Sequence, residues 1–385
     1  MPLKVLSIFG TRPEAIKLAP VIKALRARPQ DFTSRVCVTG QHRELLDQVL
    51  RLFDIRPDHD LAVMQPDQSL FASTSRILTA LEPVLVAEQP DWVVVQGDTT
   101  TAFAASLAAF YARVPVAHVE AGLRSRDLAQ PFPEEANRRL ADALTTLFFA
   151  PTEGARQNLL AEGVPDSRIR VTGNTVIDAL LDVAARPYDF SQGPLASLPL
   201  DSRRVILVTA HRRESFGPPL RALCGAIRAV AERFPDAQVV YPVHLNPNVQ
   251  QPVRELLGGF NNISLLEPLD YEPFVHLMKR AILILTDSGG LQEEAPSLGV
   301  PVLVMREVTE RPEGVAAGAA RVVGTDPAKI LAAAAELLDS PACPDKVGVR
   351  ARMSVVRNPY GDGNASKRII EALVEFSRPA EAHRA

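Results

Sequence analysis

Residues 285–299, LTDSGGLQEEAPSLG, contain an Asp-Ser-Gly-Gly segment at 287–290 between an apolar run and a helical pattern. Two adjacent glycines lose much backbone freedom on folding, so their presence needs a compensating use. Backbone N–H groups at the start of a helix can bind an anion, and a phosphate approaches closely where no Cβ intervenes. The segment therefore predicts a diphosphate site, with Glu294 placed to accept hydrogen bonds from ribose hydroxyls. A tight turn without a ligand is the alternative interpretation.

Titratable side chains follow three other apolar runs and begin one helical pattern. Asp98, Glu120 and His211 each come just after a run that predicts a buried strand, and Glu134 and Glu135 follow a proline at a predicted helix start. Ligands of open α/β sheets bind at the carboxyl ends of the strands, so these residues are candidates for a ligand site. Helix capping by Asp98, ordinary carboxylates in a first helical turn and a surface or core His211 are the competing interpretations. Glutamate is a poor cap, which favours a functional role for Glu120.

A helix start near the N-terminus carries two cations. In FGTRPEAIK, Thr11 and Glu14 have the spacing of a capping box. Arg12 and Lys17 lie close to the same helix N-terminus, where the helix dipole disfavours positive charge. An anion site explains the two cations better than helix stability does; solvated surface charge is the alternative.

Short β-branched runs alternate with helical patterns along the chain, which is typical of parallel sheets covered by helices on both faces. Six runs precede the Pro- and Gly-rich segment 186–202, and six follow it. The sequence therefore predicts an α/β protein of two doubly wound, Rossmann-like domains. We place the first domain at 1–173 together with a C-terminal helix in 361–385, and the second at 174–360. The predicted strands are KVLSIF, RVCVTG, DWVVVQGD, VPVAHVE, LFFA, IRVTG, RVILVTA, AQVVYPV, ISLLE, AILILTD, VPVLVM and ARVVG.

Composition and missing motifs exclude several classes of function. The 385-residue chain has a net charge of −3 and a pI near 6.2, so no basic field is available for nucleic acid or an anionic membrane. No GxGxxG follows a predicted strand, and neither a P-loop nor an HExxH occurs, so we expect no nicotinamide, flavin or metal cofactor. No stretch approaches the ~20 apolar residues of a membrane span, and the three cysteines show no disulfide pattern. We expect a cytoplasmic protein.

Long sequence blocks, in order along the chain, resemble those of one enzyme family. The blocks are FGTRPEAIKLAP, GQHRELLDQVL, GDTTT, HVEAGLRS, PFPEEANR, TGNTVIDAL, TAHRRESFG, YPVHLNPNV, LTDSGGLQEEAPSLGVPVLVMR, TERPEGV and NPYGDGNAS. They are similar to those of the non-hydrolysing UDP-N-acetylglucosamine 2-epimerases. The resemblance implies a glycosyltransferase-B-like fold with a central cleft, and a homodimer that makes UDP-ManNAc for surface polysaccharide synthesis. It also implies reversible epimerisation of UDP-GlcNAc by elimination of UDP to 2-acetamidoglucal and re-addition, without a redox cofactor.

The resemblance also implies a role for individual residues that match the family's motifs. Acid–base and electrostatic roles fall to Asp98, Glu120, Glu134 and His211, and Glu294 would bind the ribose. Phe274 would lie by the uracil, with a packed core aromatic as the competing interpretation. The residues that would hold phosphates are Arg12, Lys17, Ser288, Gly289, Gly290 and Arg311.

Family members are often activated by a second UDP-GlcNAc, and three residues match that allosteric pocket: Gln41, Arg212 and His244. Glu44 stands where the family can have Gln, and Asp67 where it can have Arg. Two extra acidic residues would weaken the attraction for a diphosphate, so the activation itself is an open question.

Three functions are compatible with the sequence. The first is the epimerase. The second, on the same fold, is a glycosyltransferase or a hydrolysing epimerase that releases free ManNAc and UDP. The third is a sugar-nucleotide sensor without turnover, against which the full set of four proton-handling candidates argues.

Overall fold

The computed structural model describes residues 1–40, 43–63, 68–212, 215–339 and 349–377. The chain divides into two compact units, the first made of Met1–Ala179 and Gly361–Ala385, and the second of Leu180–Tyr360. The sequence analysis placed the boundary just before the helix that spans Thr175–Ala184, whereas the division falls inside that helix.

The described part of the first unit contains a parallel sheet of seven strands in the order β3-β2-β1-β4-β5-β6-β7. The strands are β1 Leu3–Phe9, β2 Phe32–Val38, β3 His59–Asp60, β4 Trp92–Gln96, β5 Val116–Val119, β6 Leu147–Ala150 and β7 Ile169–Val171. Its helices are α1 Arg12–Arg26, α2 Arg43–Leu52, α3 Leu70–Glu88, α4 Thr100–Tyr111, α5 Glu134–Leu144, α6 Glu153–Ala161 and α7 Thr175–Ala184. The strand order reverses between β1 and β4, which is where ligands of doubly wound sheets bind.

The second unit repeats this architecture with a parallel sheet of six described strands in the order β10-β9-β8-β11-β12-β13. The strands are β8 Arg204–Thr209, β9 Ala237–Pro242, β10 Ile263–Leu266, β11 Ala281–Thr286, β12 Val302–Val304 and β13 Ala320–Val322. Its helices are α8 Pro218–Arg233, α9 Pro247–Leu257, α10 Tyr271–Arg280, α11 Gly289–Glu294, α12 Pro312–Ala316, α13 Pro327–Leu338 and α14 Val349–Ser354. Its order reverses between β8 and β11, at the ends of which His211 and the Asp-Ser-Gly-Gly segment lie.

All twelve predicted strands are present, and the fold class of two Rossmann-like units is confirmed. Strand β3, a two-residue edge strand, was not among the predicted strands. His59 and Asp60 are both polar, and so short a pair gives no apolar run from which a strand could be predicted.

Helix α3 corrects the expectation that no stretch approaches the length of a membrane span. It has 19 residues, and its length and composition would allow it to cross a membrane, a test that core helices of soluble proteins also pass. Ile77 and Leu81 on this helix are completely buried in the core of the first unit, against the sheet and α4. Within the first unit, α3 therefore acts as a packing helix.

The C-terminal helix α15, Ala365–Ser377, belongs to the first unit. The carboxylate of Asp178 in α7 accepts hydrogen bonds from the backbone N–H groups of Ala365 (3.2 Å) and Ser366 (2.8 Å). At its other end, the indole N–H of Trp92 donates to Ser377 Oγ (2.8 Å). Both ends of the helix are thus fixed to the first unit by specific hydrogen bonds.

Candidate active site

The loop after β1 is held by a buried carboxylate. Glu14 accepts hydrogen bonds from the N–H groups of Gly10 (3.1 Å) and Thr11 (2.8 Å), and Thr11 caps the helix in return. The predicted capping box is confirmed. Glu14 also accepts from the hydroxyl of Thr99 (2.7 Å), which ties the β1–α1 loop to the β4–α4 loop across the switch point of the sheet. Burial raises the pKa of Glu14, and its hydrogen bonds with Thr11, Thr99 and the Gly10 backbone oppose that rise.

Glu120 follows β5 with a φ of +66°. A left-handed backbone is uncommon for a residue with a long side chain, and such strain is often found at functional sites. Its carboxylate forms an ion pair with the ammonium of Lys17 and accepts a hydrogen bond from the side-chain amide of Gln96 (2.8 Å). Lys17, which the resemblance assigns to phosphate, thus lies beside the proposed proton-handling Glu120.

Asp98 is not the cap of α4, because Thr99 is: its hydroxyl accepts from the N–H of Ala102 (3.1 Å). The competing interpretation of Asp98 as a helix cap is therefore wrong. Instead the Asp98 carboxylate pairs with the guanidinium of Arg138, and its backbone carbonyl accepts from Asn137 (3.0 Å). Both partners belong to α5, so this helix holds Asp98 in place.

The two glutamates that begin α5 have different environments. Glu135 is completely buried, accepts hydrogen bonds from the N–H groups of Ser125 (3.0 Å) and Arg126 (3.2 Å), and pairs with Arg138. It fixes the loop that follows Glu120. Glu134 is half-buried and is the better placed of the two to meet a ligand.

Asp98, Glu120, Glu14 and Lys17 line one cavity of about 310 Å³ at the carboxyl ends of β1, β4 and β5. Three carboxylates beside one ammonium group can remove a proton, return one and stabilise charge that develops on a bound molecule. The complete lining is Thr11, Pro13, Glu14, Lys17, Gln96, Gly97, Asp98, Thr99 and Glu120.

In the second unit, the carboxylate of Asp287 fixes the loop after β8. Its Oδ2 accepts from the N–H groups of His211 (2.7 Å) and Arg212 (2.8 Å), and it is completely buried. The His211 ring is partly exposed and stacks on His244, with ring centroids 5.4 Å apart and an interplanar angle of 10°. Desolvation lowers the pKa of His211, and the nearby His244 and Arg212 lower it further. The charge of Asp287 acts in the opposite direction. A neutral imidazole is therefore favoured at the carboxyl end of β8.

The Asp-Ser-Gly-Gly segment lies between β11 and α11 as predicted, and two guanidinium groups lie beside it. A Cβ built on Gly289 would be 3.5 Å from Arg212 Nη2 and 3.8 Å from Arg311 Cζ. Gly290 follows in the same short helix, and neither glycine has a positive φ. Arg311 also pairs with Glu293. Arg212, which the resemblance assigns to an allosteric pocket, therefore lies within this set of residues, and two guanidinium groups meet the start of α11 at Gly289.

The remaining predicted residues of the second unit surround this segment. Ser288 precedes α11, and its N–H donates to Thr286 Oγ1 (2.9 Å). Glu294 is half-buried, with its Oε1 3.6 Å from the position of a Gly290 Cβ. Phe274 in α10 is also half-buried, so it is not a fully packed core aromatic.

Gln41, Asp67 and the side chain of Glu44 lie outside the described residues, and Arg12 at the start of α1 is half-buried. Within the described ranges, no three His, Cys, Asp or Glu side chains are grouped closely enough to hold a metal ion.

Sequence reasoning missed several residues that hold the site. Arg138 lies one helical turn after Glu134 in the PFPEEANR segment, and that spacing could have suggested it. Gln96 comes two residues before Asp98 and gave no signal of its own. Asp287 was quoted only as part of the glycine segment, although an Asp at the end of a buried strand fits the same pattern as Asp98.

Comparisons with known proteins agree on one family. A family model described as UDP-N-acetylglucosamine 2-epimerase matches residues 23–374. The UDP-N-acetylglucosamine 2-epimerase of Escherichia coli K12 is 56% identical over 378 residues, which cover 96% of this chain and 98% of that protein.

Two solved structures are similar over nearly the whole chain. One is a putative UDP-N-acetylglucosamine 2-epimerase from Listeria monocytogenes, with a TM-score of 0.90 and 46% identity, covering 98% of this chain and 97% of that one. The other is the UDP-GlcNAc 2-epimerase of Neisseria meningitidis bound to UDP-GlcNAc. Its TM-score is 0.84 and its identity 48%, and the match covers 97% of this chain and 100% of that one.

Proposed function

The chain belongs to the UDP-N-acetylglucosamine 2-epimerase family, and we propose that it reversibly converts UDP-GlcNAc to UDP-ManNAc without hydrolysing them. The observation that best supports the proposal is the cavity of about 310 Å³ in which Asp98 and Glu120 lie beside Lys17. A related structure was determined with UDP-GlcNAc bound, which supports the same ligand for this chain.

The chemistry of the substrate accounts for the residues required. The hydrogen at C2 of the sugar is not acidic, because no carbonyl activates that carbon. Elimination removes this proton as the C1–O bond breaks, so UDP leaves and a C1=C2 double bond forms in 2-acetamidoglucal. UDP then adds back to C1, and C2 receives a proton on its opposite face. The reaction therefore needs proton-handling groups on both faces of the ring and a set of cations for the leaving diphosphate.

The residues of the first unit fit the proton transfers. Glu120 is our first choice for the group that removes the C2 proton, because its side chain lines the cavity and Lys17 and Gln96 hold its carboxylate in place. Asp98, held by Arg138, and Glu134, at the start of α5, complete the acid–base set.

The residues of the second unit fit the nucleotide. Arg212 and Arg311 beside Gly289 would carry the charge of the diphosphate, together with the N–H groups of the glycine segment. His211 would act next to the diphosphate in its neutral form, as the lowered pKa favours. Glu294 would accept from the ribose hydroxyls, and Phe274 would lie against the uracil.

Proton NMR of the full chain with UDP-GlcNAc in D₂O tests the proposal. We expect UDP-ManNAc signals and deuterium at C2, in both UDP-sugars, as the mixture approaches equilibrium. Free ManNAc together with UDP would instead assign the chain to hydrolysing epimerases. An unchanged spectrum, with UDP binding shown by calorimetry, would make it a sugar-nucleotide sensor.

The resemblance supports a homodimer that supplies UDP-ManNAc for surface polysaccharide synthesis, and the cysteine pattern of the sequence supports a cytoplasmic location; we include these points in the proposal. Light scattering after size-exclusion chromatography tests the dimer. A monomeric mass at micromolar concentration would contradict it.

A further inference from the structure

His118 in β5 is completely buried, and the proposed reaction does not use it. Its Nδ1 lies 2.7 Å from Asp142 Oδ1, and its Nε2 lies 2.7 Å from the carbonyl oxygen of Gly97. A carbonyl oxygen can only accept a hydrogen bond, and an ionised carboxylate likewise has no hydrogen to donate. A neutral imidazole has one N–H and could donate to only one of these partners, so the contacts require the doubly protonated imidazolium.

The surroundings of Asp142 keep its carboxylate ionised. Its other oxygen, Oδ2, accepts a hydrogen bond from the guanidinium of Arg124 (2.6 Å), and both side chains are almost completely buried. Arg124 also contacts Glu162 (2.7 Å). The charged group that faces His118 is therefore Asp142 on α5, and Arg124 lies on the far side of Asp142. Burial disfavours the imidazolium, but Asp142 and the Gly97 carbonyl outweigh that cost and raise the pKa of His118.

The network joins the segments that carry the proposed acid–base residues. Gly97 has a φ of +70° and immediately precedes Asp98. Asp142 lies on α5, the helix that begins at Glu134 and holds Asp98 through Arg138. The charged hydrogen bond from His118 thus fixes the 97–98 turn from inside the sheet. A buried ion pair of this kind often contributes little net stability compared with an apolar pair of similar volume, so its use is better explained by position than by stability.

We propose that His118 is a positioning residue that stays protonated throughout the working pH range and holds the Gly97–Asp98 turn against α5. It touches no substrate and acts through the Gly97 carbonyl. The part of this inference that concerns turnover rests on the proposed function of Asp98, whereas the protonation and the restraint of the turn do not.

Nitrogen-15 NMR of the histidine-labelled chain tests the protonation directly. The chain has seven histidines, and the His118 signal is identified by its absence in His118→Gln. We expect one histidine with both ring nitrogens protonated at pH 8.5, well above the ordinary histidine pKa of about 6.5. The same signal should become that of a neutral imidazole in Asp142→Asn. If no imidazolium persists at pH 8.5, the proposal is wrong.

Hydrogen exchange and kinetics test the positioning. In Asp142→Asn and His118→Gln, we expect the amides of residues 97–99 to exchange faster, and kcat to fall about tenfold with little change in KM. His59→Gln is the matched control, because His59 also pairs with a carboxylate, Glu88 (2.7 Å), but makes no contact with this turn. Wild-type exchange and kcat in both folded test variants would overturn the positioning role.

The two proposals fail in different ways. A chain without epimerase activity would refute the proposed function, and the NMR signal and the exchange of the turn would still decide the role of His118. If His118→Gln does not fold, the isosteric Asp142→Asn supplies the same three measurements.

Discussion

The ammonium group of Lys17 in α1 forms an ion pair with the carboxylate of Glu120 at the end of β5. The sequence gives these residues separate roles, one on phosphate and the other in proton transfer. Their contact shows that the charge of Lys17 acts directly on the carboxylate of Glu120. It also places a cation next to the group that would remove the C2 proton.

Replacing Lys17 with Met separates these two roles. We expect kcat to fall by roughly tenfold to a hundredfold, because a charged hydrogen bond to Glu120 is lost, while the Kd for UDP stays nearly constant. Calorimetry with UDP and NMR-monitored turnover measure the two quantities. A weakened affinity for UDP with a normal kcat would instead show that Lys17 binds a phosphate.

Glu120→Gln should lower turnover by ~10²–10⁴-fold if Glu120 transfers the C2 proton. Binding of UDP should persist, since the residues proposed to hold it lie elsewhere in the sequence. Deuterium incorporation at C2 in D₂O reports the step itself and should fall in parallel. Glu153→Gln removes a carboxylate on an exposed face of α6 and serves as the control. Equal rates in the two variants would remove Glu120 from the mechanism.

His211 should keep a neutral ring to a lower pH than an ordinary histidine does. Desolvation lowers its pKa below the ordinary value of about 6.5, and His244 and Arg212 contribute to that shift against the opposing effect of Asp287. As the pH falls from 8, activity that needs the neutral ring should therefore persist below pH 6.5. His244→Gln removes one of the groups that lower the pKa of His211. The acidic limit of the kcat/KM profile of this variant should therefore move to higher pH. An unshifted limit would show that another group sets it.

Gly289→Ala should weaken UDP binding without harming the fold. The nearest atoms to an added Cβ are 3.5 Å away, and Gly289 does not have a positive φ, so the free protein accommodates alanine. Alanine is more stable than glycine by roughly 0.5–1 kcal/mol in the middle of a helix, and at Gly289, the first residue of α11, the gain should not exceed this. We expect an equal or higher unfolding midpoint in urea together with a higher Kd for UDP. Unchanged affinity would mean that no phosphate approaches this backbone.

Gly10→Ala should destabilise the first unit. An added Cβ would lie 2.2 Å from Thr39 Oγ1 and 2.6 Å from Thr101 Oγ1, so the loops after β1 and β2 would have to move apart. Overpacking of this kind costs about 1–3 kcal/mol in the free energy of unfolding. Gly225→Ala in α8 is the control and should be neutral or stabilising, because no atom beyond the adjacent backbone of its own helix lies within 4 Å of the new Cβ. Urea denaturation distinguishes the two, and similar midpoints would contradict the packing argument.

The sequence predicts the sheets well because their strands are nearly continuous apolar runs, such as VILVT in β8 and AILILT in β11. The rule that ligands bind at strand ends then leads to Asp98, Glu120 and His211. The same pattern cannot reveal a partner that is distant in the chain. Lys17 and Glu120 are 103 residues apart, and Asp98 and Arg138 are 40 apart. Only the fold brings each pair together.

Local sequence also leaves two alternatives that three-dimensional contacts decide. Asp98 and Thr99 are both acceptable helix caps, and the hydroxyl of Thr99 takes that place. Glu134 and Glu135 both suit a first helical turn, but only Glu135 is buried with hydrogen-bond donors from the preceding loop. In both pairs, the role of each neighbour depends on where its side chain points, and tertiary packing determines that direction.

The return of α15 to the first unit makes the second unit an insertion in the sequence of the first. Residues 180–360 are contiguous, whereas the first unit needs both Met1–Ala179 and the helix that begins at Ala365. During synthesis on the ribosome, all of the second unit is therefore made before the first unit can bind Ser366 to Asp178 and Ser377 to Trp92. The first unit must therefore wait until Ala365–Ser377 have been made before its fold is complete.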